Sequence, residues 1–227
     1  MIFKSSLIAF LLSALGIQNA IAESTPATFD HPEASLAKLI KFPELRGDAK
    51  SRLRCASQVS RVGKMTNTGC YQNTAGDEVY ISAIVKAARK ARLNPARHNG
   101  EKFSVYVQFQ VEFSKVGEEE TIRIFNNPGL LENVEAYGED HIAAQRGLAV
   151  DAFTKVCPRH TRYLVWAKAH VAEDGRHDSY SILPGEGAPI TAKCRDGILT
   201  TLRESIFTPA MADGVAVPSS FIEPFGS

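Results

Sequence analysis

The chain has 227 residues, with 26 lysines and arginines set against 25 aspartates and glutamates and a 44% share of hydrophobic residues. That balance excludes the basic field a nucleic-acid binder needs and the acidic field a cation binder needs, and the apolar content excludes a disordered polymer. The length admits one large domain or two small ones.

Residues 1–22, MIFKSSLIAFLLSALGIQNAIA, place Lys4 ahead of an apolar run from Leu7 to Ile17 and end on Ala20-Ile21-Ala22. This is the layout of a secretory signal peptide cleaved between Ala22 and Glu23. The apolar run falls short of the roughly 20 residues of a spanning helix; an uncleaved anchor is the alternative. Cleavage removes Lys4 and no acid, leaving 25 basic against 25 acidic residues in an exported chain with no membrane insertion and the periplasm as its expected place. Cys55, Cys70, Cys157 and Cys194 all lie beyond the leader, and an even count in an exported chain predicts disulfides. The competing reading is a metal site from Cys157, His160 and Cys194, which lacks an evident fourth ligand.

Residues 23–41 are polar, broken by Pro26 and Pro32, and read as a leader or linker with one brief helical piece at 36–40. Leu53, Cys55, Ser57 and Val59 then alternate with polar or small residues, which predicts a strand. A two-residue turn at Val62-Gly63 sets Cys55 opposite Cys70, Ser57 opposite Thr68 and Val59 opposite Thr66, and so predicts a Cys55–Cys70 bridge. Tyr80, Ile84, Ala88 and Ala91 share one face of a helix over 77–93, whose other face, with Lys86, Arg89 and Lys90, is solvated.

After Asn94-Pro95 and a turn at Asn99-Gly100, Phe103, Val105, Val107, Phe109, Val111 and Phe113 alternate without a break as a long strand. A short strand at 121–125 should pair back on it and plug its edge. Residues 127–138 read as a linker, and 139–155 as a helix.

From residue 163 the order repeats. Leu53, Cys55, Ser57, Val59 and Gly63, moved on by 112, fall on Val165, Ala167, Ala169, Val171 and Gly175; Tyr80, Ile84 and Ala88, moved on by 114, fall on Cys194, Ile198 and Leu202. Leu93-Asn94-Pro95-Ala96 with Asn99-Gly100 recurs as Phe207-Thr208-Pro209-Ala210 with Asp213-Gly214. The chain therefore reads as α+β: two tandem β-β-α-β units, 42–126 and 139–227, each an antiparallel sheet with a helix packed on one face. Cys157 and Cys194 form the remaining pair, with cross-pairing between units left open.

This pattern, a glycine-turned hairpin, a helix ending on Leu93-Asn94-Pro95-Ala96 or Phe207-Thr208-Pro209-Ala210, then Asn-Gly or Asp-Gly before the last strand, resembles the C-terminal domain of the TonB energy-transducer family. The likeness covers about residues 42–114 and 160–225. It implies a helix on a three-stranded antiparallel sheet whose last strand binds an extended peptide of an outer-membrane receptor by adding a strand. The chain departs from the family in its short proline-bearing leader, which reaches at most roughly 100 Å when extended.

With the 103–113 strand plugged, the second unit's last strand is the expected partner edge, carried by Val215, Val217, Ser219 and Phe221; Pro218 and Pro224 are compatible with an edge. The chain shows no Gly-x-Ser-x-Gly elbow, no His-Glu-x-x-His and no phosphate loop. His170 and His177 flank the Asp174-Gly175 turn and read as surface or satisfied residues, and Trp166 as packed under the 139–155 helix. The expectation is a non-enzymatic periplasmic interaction protein without cofactor, whose partner is a protein or extended peptide of the cell envelope, such as an outer-membrane receptor. The alternatives are a membrane-tethered transducer with an uncleaved leader and an exported metal-dependent or thiol hydrolase.

Overall fold

The computed structural model describes residues 24–44, 46–71 and 74–226; the expected leader and its Ala22/Glu23 cleavage site lie outside them. In chain order the elements begin with β1 (Ser24–Thr25), α1 (Leu36–Leu39), β2 (Ala49–Val59), β3 (Met65–Tyr71) and α2 (Glu78–Ala88). There follow β4 (Arg97–His98), β5 (Glu101–Lys102), β6 (Val105–Val116), β7 (Glu119–Phe125), α3 (Leu131–Tyr137) and β8 (Gln145–Gly147). After a 3-10 turn at Ala152–Lys155 come β9 (Tyr163–Val171), β10 (His177–Gly187), α4 (Ala192–Glu204), β11 (Phe207–Thr208), β12 (Ala210–Ala212), β13 (Val215–Val217) and β14 (Ser219–Gly226).

The fold is α+β with antiparallel sheets. In the first sheet β2 lies between β3 and β6, and β6 carries both β7 and β8 along its other edge. In the second, β9 lies between β10 and β14. The alternation read from the sequence decides what is buried: Leu53, Cys55, Val59 and the odd residues of β6 from Val105 to Phe113 meet Tyr80, Ile84 and Ala88 of α2. Val165, Ala167, Val171, Phe221 and Phe225 meet Ile198 and Leu202 of α4. Each fully buried Phe or Leu contributes about 1.5–3 kcal/mol. The sheet faces turned away from the helices meet each other, with the Tyr71 and Trp166 rings 5.8 Å apart.

Both disulfides take the expected pairing, Cys55–Cys70 and Cys157–Cys194. The first hairpin arrives at it by a different route. Ser60 and Lys64 close a longer turn, with the Ser60 N–H donating to the Lys64 carbonyl, so Val59 faces Met65 rather than Thr66. A bulge at Asn67, whose φ is +52, then shifts the register by one and brings Cys55 opposite Cys70 and the Ser57 hydroxyl within 2.9 Å of Thr68 Oγ1.

Other expectations need correction. The helix over 139–155 does not form: 145–147 is strand β8, paired with both β6 and β11, and only 152–155 turns helically. Its small apolar run, Ile142 to Ala144, mimics a helical face, but tertiary pairing on either side of β8 overrides that local preference. The 127–138 linker contains α3. The 23–41 leader is part of the first core, with Ala27, Phe29, Leu36 and Ile40 buried in it. The Asn99-Gly100 and Asp213-Gly214 turns do not lead straight into the last strands. Each closes a small two-residue hairpin, β4–β5 and β12–β13, with positive φ at both central residues as a type I′ turn demands.

Candidate binding site at the last strand and the cleft beside it

β6 and β14 are the last strands of the two sheets, and their outer edges are closed in different ways. β6 is paired on its outer side by backbone, with β8 at Val105 and Tyr106 and with β7 from Gln110 to Val116. The 121–125 segment thus lies on the edge it was expected to plug. β14 is bonded by β9 on one side, and among the described residues its other side meets side chains only. The Asn133 carboxamide accepts from the Ser220 N–H (3.1 Å) and donates to the Ser220 carbonyl (2.7 Å). The Gln108 amide donates to the Ile222 carbonyl, and the Tyr137 hydroxyl donates to the Pro218 carbonyl at 2.6 Å.

The four residues expected to form an open edge do not share one surface. Val215 and Val217 pair with β12, and Ser219 and Phe221 point into the second core. What faces outward is the backbone of Ser220 and Ile222, at the alternate positions. Pro224 shares that parity, so its missing N–H costs no bond to β9. The edge is therefore real but covered, and Asn133, which the sequence reading passed over inside a presumed linker, covers it. Its only sequence signal is an amide between Leu130-Leu131 and Val134.

Beside this edge runs a cleft of about 350 Å³ between the two sheets, lined by Tyr71, Gln108, Trp166, Leu183 and Ile222, with Leu131 and Arg54 at its margin. Trp166 packs here on Tyr71, not under a helix of residues 139–155. A second cavity of about 640 Å³, also lined by Tyr71, lies between Tyr106, Tyr163, Arg162 and Glu186. Burial raises the Tyr106 hydroxyl well above the ordinary phenol value, and the Glu223 charge adds to this. Burial likewise raises Tyr71, against the hydrogen bond it shares with Tyr106. Both phenols are thus neutral hydrogen-bonding groups.

Arg146 and Glu223 form a two-pronged ion pair at 2.6 and 2.7 Å with side chains 4% and 5% exposed. Burial alone would lower the Arg146 guanidinium, but the Glu223 charge and hydrogen bonds outweigh it and hold it above its usual value.

The Cys157–Cys194 bond occupies both sulfurs that a thiol or metal site at Cys157, His160 and Cys194 would use. Among the described residues no group of three or more His, Cys, Asp or Glu is placed to hold a metal, and no helix is long and apolar enough to cross a membrane. His177 stacks on Phe207 (4.6 Å between ring centres) and shares a 2.7 Å hydrogen bond with the Tyr180 hydroxyl, while His170 is exposed. The two disulfides fit an exported protein. No family model, curated protein or solved structure matches the chain.

Proposed function

We propose that this is a non-enzymatic interaction protein of the periplasm, built from two tandem β-β-α-β units that resemble the TonB C-terminal domain, and that it takes up an extended peptide of the cell envelope by strand addition along β14. The tandem reading is supported by backbone detail that composition could not supply. The four non-glycine residues with positive φ among those described fall into two pairs: Asn67 and Ser179, 112 apart at equivalent bulges, and Asn99 and Asp213, 114 apart at equivalent turns. Register agrees as well, since Cys55 faces Phe109 and, at the same spacings, Ala167 faces Glu223.

The observation that carries the binding reading is the contrast between the two last strands. β6 holds backbone strands on its outer edge, β8 at Val105 and Tyr106 and β7 from Gln110 to Val116, whereas on β14 the places 114 residues on from Val105 and Tyr106, Ser219 and Ser220, have no outer strand beside them among the described residues and the Ser220 edge meets a side chain. Main-chain bonds would supply affinity, and alternate side chains entering the Trp166 cleft would supply selectivity. The chain's own β7 sequence, EETIRIF, is the natural probe.

Ile222→Pro removes an outward N–H and no bond to β9, as Pro224 already does. It should abolish uptake of the EETIRIF peptide, followed through Trp166, the single tryptophan, and should leave the melting temperature within a few degrees of the parent. Equal uptake by parent and variant would exclude β14 as the receiving edge.

A further inference from the structure

We infer that the 128–138 loop is a displaceable mask over the outer edge of β14, in which the Asn133 carboxamide holds the place of a partner strand's peptide group. This rests on the strand-addition reading above and adds its regulation. A side-chain amide that bonds both the N–H and the C=O of one residue reproduces what a neighbouring strand does for an alternate residue of an antiparallel ladder. The position is telling. Ser220 lies 114 residues after Tyr106, and Tyr106 is the residue that a true strand residue, Arg146 of β8, faces on the outer edge of β6. One unit closes this point with backbone and the other with a side chain.

The loop is built to lift at its tip while staying fixed at its base. Asn127, wholly buried, donates to the Glu139 and His141 carbonyls (2.7 and 3.0 Å) and accepts from the Gly129 N–H (2.9 Å), so the two ends of the loop are tied together. Gly129 and Gly138 stand at either end with φ of +70 and +79. The tip touches the second sheet through the two Asn133 bonds, the Tyr137 hydroxyl and the 2.7 Å Glu132–Lys168 ion pair. All of these are polar. Leu131, beside them, leaves two thirds of its surface in solvent, and the loop's apolar contact with the cleft comes from the half-buried Pro128 and Leu130.

An incoming strand exchanges its own amide for that of Asn133, and its affinity is reduced by the fraction of molecules that remain masked. The test uses the full exported chain, the EETIRIF peptide and two variants, Asn133→Ala and the milder Tyr137→Phe. In Asn133→Ala the Ser220 amide should exchange roughly tenfold faster, from the loss of two hydrogen bonds, with the Ser219 and Phe221 amides unchanged, and the peptide should bind roughly tenfold tighter. Tyr137→Phe should shift binding the same way by a smaller factor, which keeps the test open if the alanine variant folds poorly. Peptide binding by the parent as tight as by both variants would overturn the mask while leaving strand addition standing. No binding by any of the three, with the Ser220 amide freed, would sink strand addition and the mask with it.

Discussion

At Gly63 the backbone is left-handed (φ +77), and a Cβ placed there would stand 2.0 Å from the Leu93 carbonyl oxygen. The Leu93 N–H in turn donates to the Gly63 carbonyl, so hairpin turn and helix exit are locked together. Gly175 meets the Phe207 carbonyl in the same way at 2.7 Å. Gly117 is also left-handed but has open space where its Cβ would be. Gly117→Ala should therefore cost only the backbone penalty of about 1 kcal/mol, and Gly63→Ala about 3 kcal/mol or more, because the Leu93 loop must also move. Denaturant unfolding of the two variants measures the difference; equal losses would mean the contact yields freely. His141 gives a second residue-scale consequence. It is 2% exposed, Nδ1 lies 2.6 Å from the Gly138 carbonyl and Nε2 has no hydrogen-bond partner among the described residues; burial lowers its pKa below the ordinary 6.5 despite the Gly138 bond. Burial lowers His177 too. The unfolded chain then binds more protons than the folded one just below pH 6.5, so stability is full above that value and declines as pH falls through it, by at most about 1.4 kcal/mol per pH unit per histidine. Urea midpoints between pH 7.5 and 5 should fall for the parent and fall less steeply for His141→Gln; parallel curves would remove His141 from the account.

Strand β6 is hydrogen-bonded to β2 from Val105 to Lys115 on one side and to β7 and β8 on the other, whereas β10 pairs on one side only, with two register breaks. Amides of β6 should thus be the slowest to exchange in the first sheet, and alternate amides of β10 should exchange orders of magnitude faster under native conditions. Exchange of the 110–116 amides at β10 rates would mean that β7 does not hold its edge. This element is also where the sequence was most legible. Val105 to Phe113 alternates over nine residues because one face lies wholly in the core, and Ile122 and Ile124 alternate because their face packs, half-buried, against it. The Cys55–Cys70 pairing was legible because two residues of one face must meet across a hairpin, although the turn was longer than expected and the Asn67 bulge restored the register. β8 and α3 were not legible. Gln145, Arg146 and Gly147 are all buried, yet none is a strand former; their strand exists because β6 and β11 offer bonds on both sides. Asn133 was missed for a related reason. Its task is set by an edge that lies 87 residues further along the chain, and no local pattern records that.

At the scale of the whole molecule the two cores are separate, each under its own helix, and the Arg146–Glu223 pair is a buried, two-pronged polar tie across them. Arg146 sits in β8, bonded to the first sheet at Tyr106, and its Nη1 also donates to the Gly147 and Val150 carbonyls and to Ser205 Oγ at the end of α4. Glu223 stands in the middle of β14, at the place 114 residues on from Phe109. One guanidinium thus holds the edge of the first sheet, the exit of α4 and the second sheet's last strand. Removing the carboxylate leaves a buried cation without its partner, so Glu223→Ala should lose about 3–5 kcal/mol, while Arg146→Met with Glu223→Leu should lose far less, because no charge is then stranded. The consequence for cooperativity follows from where the pair sits. In the parent, unfolding followed by Trp166 fluorescence, which reports the second sheet, should coincide with unfolding followed by far-ultraviolet circular dichroism, which reports both. In Glu223→Ala the Trp166 transition should come first, as the second sheet loses its attachment and melts ahead of the first, which keeps α2, β7 and the Cys55–Cys70 bond. Coincident transitions in Glu223→Ala, at an unchanged midpoint, would mean that apolar contact through the Tyr71–Trp166 pair joins the sheets without help from the ion pair.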